Sequence, residues 1–529
     1  MKRRDLLHGA ALSAAWATLG TVIAQAPALR AQAGGGEAFD WGWLRSHARE
    51  LAGGRYEPPV DARPPQLRAL SWDEYAAIRF RPEEALWRHT ELPFQIQFFH
   101  LGIFYDTPVR VYEVAGGAAR PVRYDPSMFD FGPSRFEPPL PDDLGFAGLR
   151  VHAHTDFDQD VIVFQGASYF RATHWRSHYG MSARGLAVDT ALGRPEEFPR
   201  FTSFWLERPS PEDATLTVYA LLESESVTGA YRFLLAPGGT TVMEVAAHLF
   251  PRKPIERLGL APLTSMYQFG ENDRRVADDW RREIHDSDGL SIWTGAGEWI
   301  WRPLVNPPEL RVSSFVDNEP RGFGLIQRDR DFTNYQDEGA QYERRPSCWV
   351  EPLEGWGPGR VMLVEIPTAD ETFDNIVAFW NPERPVEPGQ ELALRYRLTW
   401  GDDVPVNARL ARCTATRIGK GGIIGHRHEV NLRKFVIDFA GGELPLIDRK
   451  APVEPVISAS RGRIADLTAL DGSIRISPLV RPVPEIGGWR VTFDLEWEGR
   501  EPIDLRLYLR LGPSTLTETW LYQWTPPHG

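Results

Sequence analysis

Apolar and polar residues alternate over long stretches in the C-terminal half of the chain. Leu392, Leu394, Tyr396, Leu398 and Trp400 are interleaved with Ala393, Arg395, Arg397 and Thr399. The same period of two runs through Trp489, Val491, Phe493, Leu495 and Trp497, and again through Ile503, Leu505, Leu507, Leu509 and Leu511. An apolar residue at every second position predicts antiparallel strands with one face buried. Many such runs, separated by Gly, Pro, Asn and Asp, predict an all-β sandwich architecture. Only the start reads as helical. Asp40 is placed to cap a helix that puts Leu44, Ala48 and Leu51 on one face and ends at Gly53-Gly54. Ser71-Trp-Asp-Glu74 has the spacing of a capping box opening a short helix through Ile78. Gly401-Asp402-Asp403-Val404-Pro405 reads as a linker. It divides a large β unit, 38–400, from residues 406–525, the size of one immunoglobulin-like sandwich.

Composition removes several alternatives. The 529 residues are 42% hydrophobic and 25% charged, which is ordinary globular material. A formal net charge of −13 argues against a nucleic-acid footprint, which would be basic and clustered. Cys348 and Cys413 are too few for a disulfide framework or a Cys-based zinc site, and whether they pair is not legible in the sequence. At the N-terminus, Lys2, Arg3 and Arg4 precede a weak apolar run, Gly9 to Ala24, and the small-residue site Ala31-Gln32-Ala33. Residues 1–33 read as a secretory signal of the twin-arginine type, which implies the periplasm. The apolar run is shorter than the ~20 residues a spanning helix needs, so no stable membrane insertion is expected.

The familiar catalytic motifs are absent. The sequence holds no Gly-x-Ser-x-Gly, no P-loop, no Cys-x-x-Cys and no His-Glu-x-x-His, and no cofactor is expected. His152-x-His154 with Asp156 would place three ligand types on one strand, but nothing nearby completes a metal shell, so no metal is expected. Gly419-x-Gly421-Gly422-x-x-Gly425 lacks dinucleotide spacing and reads as a flexible loop, with His426 and His428 solvated. The stretch 283–374 stands out because carboxylates, tryptophans and arginines are interleaved without a clean period. A core would not carry so many charges, and a solvated face would not carry so many indoles. Paired carboxylates, aromatic platforms and arginine forks are what a carbohydrate-cleaving cleft uses: one acid protonates the leaving oxygen, a second activates water, and rings stack on sugar faces. For any one of these acids a structural salt bridge on a sheet edge is the better account, and for the cluster as a whole function is favoured.

Longer stretches carry a resemblance. Gln97-Phe-Phe-His100, Asp143-Leu-Gly-Phe-Ala-Gly148, Gly166-Ala-Ser-Tyr-Phe-Arg-Ala172, Gly180-Met-Ser-Ala-Arg-Gly-Leu-Ala187, Ala261-Pro-Leu-Thr-Ser-Met266, Ile284-His-Asp-Ser-Asp288, Gly322-Phe-Gly-Leu325 and Trp520-Leu-Tyr-Gln523 resemble the periplasmic glucan biosynthesis proteins of the OpgG/OpgD (MdoG/MdoD) family, and the twin-arginine signal resembles the OpgD branch. The resemblance implies a large antiparallel β-sandwich of the mutarotase-like type joined to a C-terminal immunoglobulin-like sandwich. It implies the β-1,2-linked backbone of osmoregulated periplasmic glucans as substrate, with other glucan-synthesis proteins as partners. The implied activity is anomer-inverting endo cleavage. Two alternatives accompany it: an inverting transglycosylase that cyclises the glucan, and a non-catalytic glucan-binding scaffold.

Residue by residue, the resemblance implies that Asp374, in Glu371-Thr-Phe-Asp374-Asn, is the general acid and that Asp286, in His285-Asp286-Ser-Asp288, is the general base, acting through a relay of waters and a substrate hydroxyl. Glu371, Tyr342, Arg345, Trp349 and Trp299 are implied as relay or subsite residues. Asp374 then has to hold a proton near neutral pH, with Glu371 as one source of like charge, while Asp286 stays ionised. The loop 418–433 departs from the longer aromatic version expected of relatives, and a loop over the cleft would bear on whether water or a sugar hydroxyl attacks.

Overall fold

The computed structural model describes residues 36–527, apart from 176, 407–408, 424, 427–430 and 470–474. The signal segment 1–33 and His428 therefore lie outside the described residues. Strands hold 48% of the chain and helices 9%, so the molecule is all-β, as the alternation predicts. All three runs of period two are strands: Leu392–Gly401, Gly488–Trp497 and Ile503–Leu511.

Two large sheets face one another. One is sixteen-stranded, with Thr241–Pro251, Leu392–Gly401 and Ser347–Pro352 near its middle. The other is ten-stranded and runs from Arg311–Asn318 through Ile376–Pro382 and Leu258–Ser265 to Phe94–Phe99. Nearly every pairing is antiparallel. The aromatic side chains between the sheets show how they meet. Phe164 and Phe170 of the smaller sheet pack edge-on against Phe233 of the larger, with centroids 5.2 and 5.4 Å away. These rings belong to a core with Ile96, Leu149, Val218 and Tyr396.

The C-terminal segment builds a further layer. Arg412–Lys420, Asn431–Ala440 and Gly488–Trp497 form part of a five-stranded sheet. It packs on Ile503–Leu511 and Thr519–Trp524, which themselves continue the sixteen-stranded sheet: Ile300 and Trp301 pair in parallel with Thr519 and Trp520. One apolar cluster therefore joins Trp299, Trp301 and Trp349 to Phe435, Phe493 and Trp520.

Both helical readings hold locally. The helix Trp41–Gly53 starts where the Asp40 carboxylate accepts from Trp43 N at 2.7 Å, and it buries Leu44 and Ala48. The capping box of Ser71 and Glu74 is present, but that helix ends at Ala76 rather than Ile78. Arg79 and Phe80 pair with Asp130 and Phe129, and that ladder draws the chain into an extended conformation. Cys348 and Cys413 are buried and free.

Candidate active site

Asp374 sits at the end of a loop between strands Pro358–Glu365 and Ile376–Pro382. Its neighbour Asn375 is fully buried and ties the loop down. The Asn375 amide accepts from Tyr267 N at 2.8 Å and donates to the carbonyls of Tyr267 and Ile366. Asn306 holds the other arm, donating to Thr368 O at 2.9 Å and accepting from Thr368 N at 3.0 Å. The acid is thus on a rigid mount although its residue is in a loop. Glu371 and Asp374 do not belong to a strand, so the alternation expected to turn them to opposite sides does not apply.

The Asp374 carboxyl opens into a cleft of about 640 Å3 whose walls include Tyr105, Tyr169, Tyr179 and Arg171. The side chain keeps 38% of its surface accessible, and Arg171 lies 3.9 Å away. Its pKa is raised above the ordinary carboxylate value, first by the density of protein around it and second by the charge of Asp286; Arg171, Arg184 and Arg345 pull the other way. The like charge at this site is Asp286. Glu371, expected as a source of it, is held otherwise: Arg281 donates to it at 2.7 Å and the Tyr342 phenol donates a second, short bond.

Asp286 is the contrast. Its side chain is 4% exposed and forms a close ion pair with Arg345. The Arg345 guanidinium also lies over the Tyr342 ring, 4.1 Å from the centroid. Its methylenes pass so close to Gly180 that an added Cβ there would stand 2.9 Å from Arg345 Cβ, which is why the position takes glycine. The result is one polar chain, Asp286 to Arg345 to Tyr342 to Glu371 to Arg281, with Arg281 closed by Asp337 at 2.8 Å. Four of the predicted residues, Asp286, Arg345, Tyr342 and Glu371, are in direct succession along it. Arg281, Arg171 and the tyrosines of the cleft were not foreseen. They lie on distant segments, and no local pattern connects them to Asp374.

Trp299 and Trp349 are placed elsewhere. Trp349 is 1% exposed and Trp299 7%. The two rings stack at 5.7 Å, and Trp293 continues the column at 5.1 Å. Both belong to the core shared with the C-terminal layer, and Trp299 also lines a hollow of about 510 Å3 with Arg328 and Glu518.

One cluster has the composition of a metal site. Ligand atoms of Glu283, His285 and Asp288 lie within 4.8 Å of one another. His285 is buried, and both of its ring nitrogens face acceptors, Glu283 at 3.0 Å and the Gln327 side-chain oxygen at 3.0 Å. That oxygen is identified because the Gln327 amide nitrogen donates to Tyr335 and to the carbonyls of His285 and Tyr342. Burial lowers the His285 pKa, but Asp288 and Glu283 outweigh it and push the value up to about 9. These contacts brace His285 between Glu283 and Gln327, immediately before Asp286 in the chain. His152, His154 and Asp156 do not share a strand face: His152 is buried in its strand and His154 is in the turn that follows.

The cleft does not end at Asp374. Phe99, Tyr105 and Gln165 also wall an adjoining hollow of about 370 Å3. It reaches Trp72 and Phe104, which are 61% and 71% exposed with ring centroids 6.1 Å apart. Exposed flat rings along a groove suit the faces of sugars.

Fold and site together define an all-β protein with an acid-bearing, aromatic-walled cleft. The chain belongs to the family of the periplasmic glucan biosynthesis protein MdoG, whose model matches residues 39–524. It is 52% identical to glucans biosynthesis protein D of Xanthomonas axonopodis pv. citri, covering 100% of this chain and 98% of that one. It is 54% identical to glucans biosynthesis protein D 1 of Ralstonia nicotianae over 100% and 99%. A probable glucans biosynthesis protein D of Shewanella oneidensis is 52% identical over 93% and 89%. A role in periplasmic glucan biosynthesis follows from this membership. No helix among the described residues is long and apolar enough to cross a membrane.

Proposed function

We propose that this protein, exported to the periplasm by its twin-arginine signal, cuts the β-1,2-linked glucan backbone by an inverting endo mechanism, with Asp374 as general acid and Asp286 as general base. The observation that carries this reading is the opposed setting of the two carboxyls. Asp374 is pushed toward its protonated form in a cleft open to a polymer. Asp286 is buried in a close ion pair with Arg345. A carboxyl held toward its neutral form in a cleft, with a second carboxyl close enough to act on it by charge, suits an acid and base pair. In the reaction, Asp374 gives its proton to the glycosidic oxygen. A water on the opposite face of the sugar attacks, and its proton passes through ordered water and a substrate hydroxyl to Asp286. Arg345, Tyr342 and Glu371 hold the geometry of that route. Residues 38–400 carry the site, and 406–525 buttress it. Trp299 and Trp349 are not carried into the reading.

The test is incubation of the mature protein with linear β-1,2-glucan, following reducing ends and product masses. New reducing ends that Asp374→Asn abolishes are expected. Products one water lighter than the linear chain, without new reducing ends, would assign cyclising transfer instead. Binding without any change in the glucan would leave a scaffold.

A further inference from the structure

A second cavity, of about 590 Å3, lies between the two layers of the molecule, behind the loop that carries Asp374. Asn306, which ties down that loop through Thr368, is one of its walls. Four arginines in this wall, Arg274, Arg275, Arg311 and Arg433, form no ion pair with any described residue. Arg311 donates to Gln523 O at 3.2 Å and to the Thr525 hydroxyl at 2.5 Å. Arg274 and Arg275 reach only backbone carbonyls.

Arg433 is the sharpest case. Its guanidinium stacks 5.8 Å from the Trp524 ring centroid. Its Nε is buried without a partner, and no described residue accepts from either terminal nitrogen. A guanidinium carries five donors in a planar fork, and a buried donor left unpaired is unfavourable. Two acids share the wall but do not answer it. Asp273 is engaged by the backbone N–H groups of Arg275 and Asn306. Glu271 is turned to other partners, accepting from Thr416 N at 2.5 Å and pairing with Arg417 at 3.4 Å.

We propose that this cavity binds a small organic anion, a phosphate or carboxylate on a hydroxylated carbon body, with the oxyanion on the Arg433 fork and Arg311 beside it. Planar, bidentate recognition of an oxyanion is what a stacked guanidinium does best. The volume is in the range of small-molecule sites and far exceeds a bare ion.

The experiment is calorimetric titration of the mature protein with glucose 6-phosphate, glucuronate, inorganic phosphate and glucose. Glucose 6-phosphate or glucuronate is expected to bind with a Kd below about 1 mM, the tighter of the two naming the anion source. Arg433→Gln is expected to weaken that binding at least about tenfold and Arg433→Lys by less. Neither variant should lower Tm, because the guanidinium makes no hydrogen bond that folding needs. Asp374→Asn should leave the affinity unchanged, which separates this site from the glucan-cutting reading. Glucose binding as tightly as the anions, inorganic phosphate binding as tightly as both organic anions, an unchanged Kd in Arg433→Gln, or no binding of either organic anion would each overturn the proposal.

Discussion

Asp374 and His285 respond to pH in the same direction: the folded protein holds each proton more tightly than the unfolded chain does, Asp374 through burial first and His285 through Asp288 and Glu283. The folded protein raises the Asp374 pKa above its ordinary value. The native state therefore holds this proton more tightly than the unfolded chain. The consequence is a loss of stability as pH rises through the carboxylate range. Asp374→Asn should accordingly abolish glucan cutting while raising Tm at neutral pH, which calorimetry on the two proteins checks. A lower or equal Tm would show that burial does not strain the charged acid. His285 is likewise raised, from 6.5 to about 9. Its contribution to stability is complete below about pH 6.5 and is lost as pH climbs through 9. His285→Gln should remove that alkaline slope from a plot of unfolding free energy against pH. Tyr342→Phe removes the phenol that donates to Glu371. If that bond positions the relay, kcat should fall by about tenfold or more while KM is little changed, since the tyrosine acts through another side chain.

At the scale of elements, the groove and the tryptophan column make separable predictions. Trp72 and Phe104 lie on two segments that meet only at the far end of the cleft. Substituting both by Ala should raise KM for long glucans several-fold, by about 1–2 kcal/mol of lost stacking, and leave short ones unaffected. Equal KM for both lengths would exclude the pair from substrate binding. Trp349 belongs to the other category. Its strand lies beside Gly322, where an added Cβ would stand 2.4 Å from the indole, so ring and glycine are packed as one unit. Trp349→Ala should cost about 3–5 kcal/mol of stability, with KM unchanged in whatever folded protein remains. The acid loop was legible only in part. Its Asp374 could be marked by motif, but the clamp by Asn375, Tyr267 and Asn306 joins residues that no periodicity brings together.

At the scale of the molecule, the two units share more than a linker. The sixteen-stranded sheet passes from one to the other, and Arg328 bridges them. It lies 3.5 Å from the Trp301 ring centroid and makes two bonds to Glu518, at 2.6 and 3.0 Å. Both partners of that ion pair are nearly buried. Glu518→Ala leaves the guanidinium without its counter-charge and should destabilise the whole chain by about 3–5 kcal/mol. Denaturant titration is expected to show a single transition moved to lower midpoint. Two separated transitions would show that the units unfold independently and that the shared core is weak.

What the sequence by itself determined is what nearest neighbours decide. Strand identity was readable at Leu392, Trp489 and Ile503 because a half-buried strand must alternate. The cap at Asp40 and the box at Ser71 were readable because each satisfies backbone donors within three residues. Family membership was readable because long stretches persist in order. Tertiary structure alone decided the rest. It turned Trp299 and Trp349 from cleft-like residues into core, because an indole carries no mark of which side it will face. It made Asp286 rather than Glu371 the charge that acts on Asp374, and gave Glu371 to Arg281 and Tyr342. It also left Arg433 without a partner in a cavity between layers. Electrostatic interaction depends on distance and burial, and neither is a property of spacing along the chain.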